Sequence, residues 1–277
     1  MAVPDPIRQL DAILKPNSVA VIGASTSPDK MGHEILKNII DSGFKGSVYP
    51  INPKADVILD LPCYKSVKDV ADPPDLAVII IPARFVPQAV QECGEAGVKG
   101  AVIITGGFSE AGDEGEALQN LVVETAQKFG VRIIGPNCQG VNNPHHLLCA
   151  SWPLLTYQGK IALISQSGTV GAAMMDWLSE EKLGTASFVS MGNRADVDEA
   201  DLIAYFNQDP NTEVIAAYIE GIKRPELFIQ AVEQLQKPLV ILKSGRTPKG
   251  KVAAESHTKA LAGADAIYEA LFSKYNI

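Results

Sequence analysis

SVAVIGASTSPDKMG occupies residues 18–32, and its reading decides the fold. Ser18–Ile22 is a short apolar run with β-branched residues, the composition of a buried strand. It ends at Gly23 in a loop of small residues, and an amphipathic helical pattern runs from Gly32 to Ser42. A strand that feeds a helix through a glycine–serine turn opens a parallel βαβ unit. The same alternation continues outward. Strand-like runs follow at Ser47–Ile51, Leu76–Ile80, Gly100–Ile104 and Arg132–Ile134, with helical stretches at Arg84–Ala96 and Glu114–Phe129. About five parallel strands covered on both faces predict an α/β, Rossmann-like N-terminal domain.

Between Cys149 and Lys160 the periodicity lapses, and Pro153 and Gly159 interrupt the chain. The boundary is placed there, dividing the chain into residues 1–150 and 151–277. The alternation then restarts. Ile161–Ser165, Ala186–Val189, Val214–Ile219 and Leu239–Lys243 read as strands; Thr169–Glu181, Glu199–Gln208, Pro225–Gln236 and Thr258–Tyr275 read as helices. This predicts a second doubly wound domain of flavodoxin type.

Composition narrows the chemistry. With 277 residues, 46% hydrophobic and 20% charged, the chain holds two ordinary globular cores. Its net charge of −8 disfavours a nucleic-acid partner, whose phosphate backbone selects excess Lys and Arg. No apolar run reaches the ~18 residues that span a bilayer, so no membrane partner is expected. MAVPDPIRQLD at the N-terminus has no basic region followed by an apolar one, the mark of a secretion signal. Cys63, Cys93, Cys138 and Cys149 show no CxxC spacing; they read as reduced thiols of a cytoplasmic protein, with no metal site.

Strand ends carry the candidate binding residues. The loop from Gly23 through Ser25, Ser27 and Lys30 to Gly32 aims amides and a helix N-terminus at one point, which favours phosphate. The dinucleotide fingerprint GxGxxG is absent, since Ala24 and Ser25 follow Gly23. So is an acid after the second strand to grip a ribose; Asn52-Pro53-Lys54 stands there, and a lysine suits phosphate. Pro82, Thr105-Gly106 and Gly135-Pro136-Asn137 follow the next three strands. In the second half Ser165-Gln166-Ser167-Gly168 turns from a strand into a helix, a second phosphate cradle. It is not a GxSxG hydrolase elbow, because Ser165 stands where the first glycine must be. Gly245–Val252 nearly matches a P-loop, but Val252 replaces the hydroxyl that ligates Mg²⁺. His257 closes that basic loop. A neutral imidazole is a nucleophile near pH 7, and a carboxylate can fix its tautomer. Glu220, at the end of Val214–Ile219, is the candidate orienter. His33, His145 and His146 are given no chemistry.

These stretches stand in a set: VAVIGAS from Val19, YPINPKAD from Tyr49, GFSEAG from Gly107, GPNCQG from Gly135, ALISQSG from Ala162, MGNRADVDEADL from Met191, YIEGI from Tyr218, LKSGRT from Leu242 and SHTKALAGAD from Ser256. In order and spacing they resemble the α-type part of ADP-forming acyl-CoA synthetases, of the succinyl-CoA synthetase superfamily, over essentially the whole chain. The resemblance implies coenzyme A on the first domain, with the Ser25–Gly32 loop, Lys54 and the Thr105-Gly106 strand end in contact with it. Gly23, Pro82 and Asn137 join them as expected cofactor-binding residues. It implies phosphate at Ser165, Gln166, Ser167 and Gly168, phosphorylation of His257 and stabilisation of that histidine by Glu220. The implied reaction interconverts acyl-CoA, phosphate and ADP with a small carboxylic acid, CoA and ATP. Mg-ADP/ATP would sit on an ATP-grasp β-type domain or subunit. Lys259 and Ala260 depart from the family pattern, which has Gly and a small residue after the histidine. Relatives also continue beyond the position of Ile277, so this chain is expected to lack the nucleotide half. Two other readings are weaker. A regulatory CoA-binding module of an acetyltransferase-like protein typically lacks the histidine, and a nicotinamide oxidoreductase needs the missing fingerprint.

Overall fold

The structure, a computed structural model, describes residues 8–152, 156–246 and 265–277. His257, Lys259, Ala260 and residues 247–252 of the basic loop lie outside the described residues.

The opening run forms strand β1 (Ser18–Ile22), and its parallel neighbours are β2 (Ser47–Ile51) and β5 (Leu76–Ile79). With β6 (Gly100–Ile103) and β7 (Arg132–Ile134) they make an all-parallel sheet in the order β2-β1-β5-β6-β7. The small pair β3 (Val57–Ile58) and β4 (Leu61–Pro62) stands apart. All four residues of β5 and of β6 are buried, as expected for strands covered on both faces. Helices α2 (Met31–Asp41), α3 (Val86–Ala96) and α4 (Asp113–Phe129) supply that cover, after a short α1 (Asp11–Leu14). α2 turns Ile35, Leu36 and Ile39 inward, one stripe at helical spacing.

A second sheet has the order β13-β12-β10-β11-β8-β9. Its parallel strands are β10 (Gln158–Ser165), β11 (Thr185–Ser190), β12 (Val214–Ile219) and β13 (Leu239–Lys243). Helices α5 (Gly168–Glu180), α6 (Glu199–Gln208) and α7 (Pro225–Glu233) connect them, and α8 (Asp265–Tyr275) follows.

The expected boundary at residue 150 falls inside a hairpin. β8 (Gly140–Asn143) and β9 (Leu148–Ser151) form a hairpin that joins the second sheet, β8 pairing antiparallel with β11. The first sheet therefore ends at β7. Polar residues hide the hairpin from a propensity reading, yet they are satisfied. Asn142 accepts from the Ser151 hydroxyl at 2.7 Å, and the Asn143 amide donates to the Leu14 carbonyl at 2.8 Å. β9 also packs on α2, and a single apolar core runs from Val21 and Leu36 through Val141 and Ala150 to Met191 and Phe206.

Backbone pairing locks the two units further. The amides of Asn193, Ala195 and Val197 donate to the carbonyls of Pro136, Gly135 and Ile133 at 2.9, 3.0 and 3.1 Å. Asp196 accepts from the Arg132 side chain at 3.0 Å and from the Ile133 amide at 2.8 Å. The GNRAD stretch is thus an added strand-like seam on the edge of the first sheet.

Candidate functional site

In open parallel sheets a crevice forms where consecutive connections depart to opposite sides of a strand. Each sheet here has one such point. In the first it lies between β1 and β5, in the second between β10 and β12.

The first point holds a crevice of about 320 Å³ lined by Gly23, Asn52, Pro53, Pro82 and Phe85 among others. Gly23 sits at φ +97°, and a Cβ there would lie 2.3 Å from the Ile80 carbonyl oxygen. Only glycine lets the loop pass the neighbouring strand so closely. Asn52 ties the loop down by donating to the Ala24 carbonyl at 2.7 Å. His33 contacts the Ser25 carbonyl through Nδ1 at 2.9 Å, and the Ser25 hydroxyl accepts from the Ser27 amide.

Not all of the expected cofactor-binding residues gather here. Gly23 and Pro82 line the crevice, while the exposed Ser27, Lys30 and Lys54 stand outside its lining. Gly32 is buried, and a Cβ there would come 2.0 Å from the Gly23 carbonyl oxygen, so its service is close packing of α2 on the loop. Thr105 spends its hydroxyl on the Ile81 carbonyl at 2.7 Å, joining two strand ends. Gly106 lies against Asn137, and Asn137 faces the other cleft.

That other cleft, about 690 Å³, lies where the units meet. The first unit contributes Ser109, Glu110 and Asn137; the second contributes Gln166, Ser167, Gly168, Thr169, Asn193, Arg194 and Glu220. Ser167 caps α5, its hydroxyl accepting from the Val170 amide at 3.4 Å. Gly168 and Thr169 carry the preceding amides at the positive end of the helix dipole.

Ser165 and Gln166, expected at the phosphate site, both turn their side chains into the fold. Ser165 is fully buried, and its hydroxyl donates to the Ser167 carbonyl at 2.5 Å, shaping the turn from within. Gln166 is also buried and works as a clamp across the switch point. Its Oε1 accepts from the amides of Glu220 and Gly221 at 2.8 and 3.2 Å, and its Nε2 donates to the Gly221 carbonyl at 2.8 Å. Glu220 is thereby held at the cleft it lines. Burial pushes the phenol of Tyr218 up, and the Glu220 carboxylate beside it adds to the rise.

Beneath the cleft lies an ionic cluster that motif reading passed over. Glu199, fully buried, accepts from Arg194 Nη1 at 3.1 Å, from Gln166 Nε2 at 3.3 Å and from the Lys223 amide at 2.8 Å. Burial, and then the neighbouring Arg194, hold the Lys223 ammonium below its ordinary range. Across the cleft Glu110 is partly withdrawn from water, which opposes its ionisation. The Asn193 side chain and the amides of Gly107 and Phe108 outweigh that and hold the carboxyl below its usual range. Cys138 is buried with its thiol pushed up to about 12, so it is no nucleophile.

Comparison with known proteins fits this arrangement. A family described as "CoA binding domain" matches residues 17–144, and one described as "Succinyl-CoA ligase like flavodoxin domain" matches residues 158–277. The α subunit of ADP-forming acetate–CoA ligase I from Pyrococcus furiosus is 45% identical over 275 residues, 97% of this chain and 60% of that protein. The chain belongs to the ADP-forming acyl-CoA synthetase family, as its α-type part. Another member, the ADP-forming acetate–CoA ligase of Methanocaldococcus jannaschii, is 48% identical over 97% of this chain and 38% of its own length. The solved acetyl-CoA synthetase 1 of Ca. Korarchaeum cryptofilum, in complex with phosphate and ADP, superposes with a TM-score of 0.92 at 44% identity. That match covers 97% of this chain and 58% of the synthetase chain. The chain thus spans about 60% of the first of these acyl-CoA synthetases and less of the others.

Proposed function

We propose that this chain binds coenzyme A at the first switch point and phosphate at the second, and carries a phosphoryl group on His257. In the proposed reaction a phosphate oxygen attacks the acyl-CoA thioester carbonyl, and the C–S bond breaks to release CoA. The resulting acyl phosphate gives its phosphoryl group to the neutral imidazole of His257, and the carboxylate leaves as the P–O bond breaks. ADP then takes the phosphoryl group to form ATP. Amides at the start of α5 face the charge that grows on the phosphoryl oxygens, and Glu220 fixes the imidazole tautomer.

One observation carries this reading: Ser167, Gly168 and Glu220 converge on one cleft at a switch point, held there by a single clamp, Gln166. The relatives' length supports a further part for the whole protein, an ATP-grasp domain or subunit holding Mg-ADP/ATP. The small carboxylic acid and its acyl-CoA are the substrates. Four free thiols suit a reducing, cytoplasmic setting.

The test is phosphoryl transfer. Incubation with labelled acetyl phosphate is expected to leave an acid-labile, base-stable phosphate on the chain. His257→Ala abolishes it, and Glu220→Gln lowers its yield with CoA affinity unchanged. An equal label in His257→Ala would remove the histidine from the proposal.

A further inference from the structure

We propose that Arg194 is the cation that grips phosphate in the cleft, an inference that rests on the phosphate site proposed above and names its charge partner. Among the described residues lining the cleft are three carboxylates, those of Glu110, Glu116 and Glu220, and one cation, Arg194. A phosphate entering a chain of net charge −8 through such walls meets repulsion from every charged group except this one.

The guanidinium is presented as a fork with the two N–H groups of Nη1, of its five, engaged. Its Nη1 donates to both Glu199 oxygens, at 3.1 and 3.4 Å, and to the Gly221 carbonyl at 2.8 Å. Those bonds engage Nη1 alone among the described residues, which leaves Nε and Nη2 for a ligand. Two such N–H groups match two oxygens of one phosphate. Glu199 is fully buried and outside the cleft's lining, whereas Arg194 lines it. The ion pair therefore shows the cleft its positive end. Gln166 Nε2 donates to the same Glu199 oxygen and the same Gly221 carbonyl, at 3.3 and 2.8 Å, which fixes the guanidinium beside the turn that starts α5.

The backbone adds a second, independent sign. Arg194 sits at φ +54°, a conformation that L side chains rarely adopt. It is held by its own amide on the Met191 carbonyl at 3.2 Å and by the Lys223 ammonium on its carbonyl at 2.6 Å. Strain of this kind gathers at functional sites.

The experiment titrates the chain with inorganic phosphate and reads bound fraction from ³¹P line width, with CoA affinity measured in parallel. Saturable binding is expected, with the dissociation constant raised tenfold or more in Arg194→Gln and CoA affinity within about twofold of the parent chain. Arg194→Lys keeps the pair with Glu199 but loses the fork, and falls between. Adding Glu199→Gln to Arg194→Gln removes the orphaned charge, and affinity is expected to stay low. The proposal is overturned by no saturable phosphate binding in the parent chain, by unchanged binding in Arg194→Gln, or by recovery in the double variant. Should Arg194→Gln not fold, parent-like binding by Arg194→Lys overturns it equally. Labelling of His257 is scored separately. Phosphate binding that depends on Arg194 without any label would uphold this site and sink the phosphoryl-transfer reading.

Discussion

At the first strand-order reversal, between β1 and β5, the crevice walls are Ile22, Ile51, Pro82 and Phe85; at the second, between β10 and β12, they are Gln166, Ser167, Arg194 and Glu220. Topology places both openings at the carboxyl ends of parallel strands. Side chains then divide the labour. An apolar slot of about 320 Å³ suits a flat nucleotide ring, whereas a polar cleft with helix amides and an anchored ion pair suits a compact anion. One architecture used twice thus offers two kinds of opening, and the difference lies in what stands behind each: packed backbone at Gly23, buried charge at Glu199.

Breaking the charged side should produce the largest effect. Glu199→Ala removes the buried acceptor shared by Arg194, Gln166 and the Lys223 amide, and a loss of about 3–5 kcal/mol of stability is expected in denaturant unfolding. Gln166→Leu keeps the bulk but leaves the amides of Glu220 and Gly221 without their acceptor. A loss of about 1–3 kcal/mol for each stranded donor is expected, with a fall in phosphohistidine yield. On the packed side, Gly23→Ala drives a methyl into the Ile80 carbonyl at a left-handed φ. About 1–3 kcal/mol of destabilisation and weaker CoA binding should follow, with phosphate affinity retained; loss of both affinities together would erase the division between the crevices.

The smallest effect lies at the joint between the units. Asp209 is buried, which works against its ionisation, but the Thr212 hydroxyl and the Lys15 ammonium outweigh this and hold its carboxyl below the ordinary value. A depressed folded value means that the contribution is complete above about pH 4 and fades as pH falls through the folded value. Asp209→Asn should therefore lower stability at neutral pH and above, and flatten its acid-side slope while leaving the slope above pH 7 unchanged.

Much of this was legible in the residues, because buried parallel strands are written as continuous apolar runs and Gly23 and Glu220 stand at their ends. The β8–β9 hairpin was not, since Asn142 and Asn143 belong to no strand pattern and are paid for only by partners elsewhere in the fold. Arg194, within MGNRADVDEADL, carries no motif of its own. Its partners, Glu199 and Gly221, meet it only once α6 and the end of β12 are side by side. The hydrogen bonds of Ser165 and Gln166 were not legible either, because a side chain's partners follow from geometry and not from its neighbours in sequence.

The most direct test maps both ligands on one isotope-labelled chain by amide chemical shifts. The account predicts that inorganic phosphate moves Ser167, Gly168, Thr169 and Arg194 most, and that coenzyme A moves Gly23, Ala24, Ile81 and Phe85 most. Phosphate shifts confined to the Gly23 loop, with the start of α5 unmoved, would contradict it.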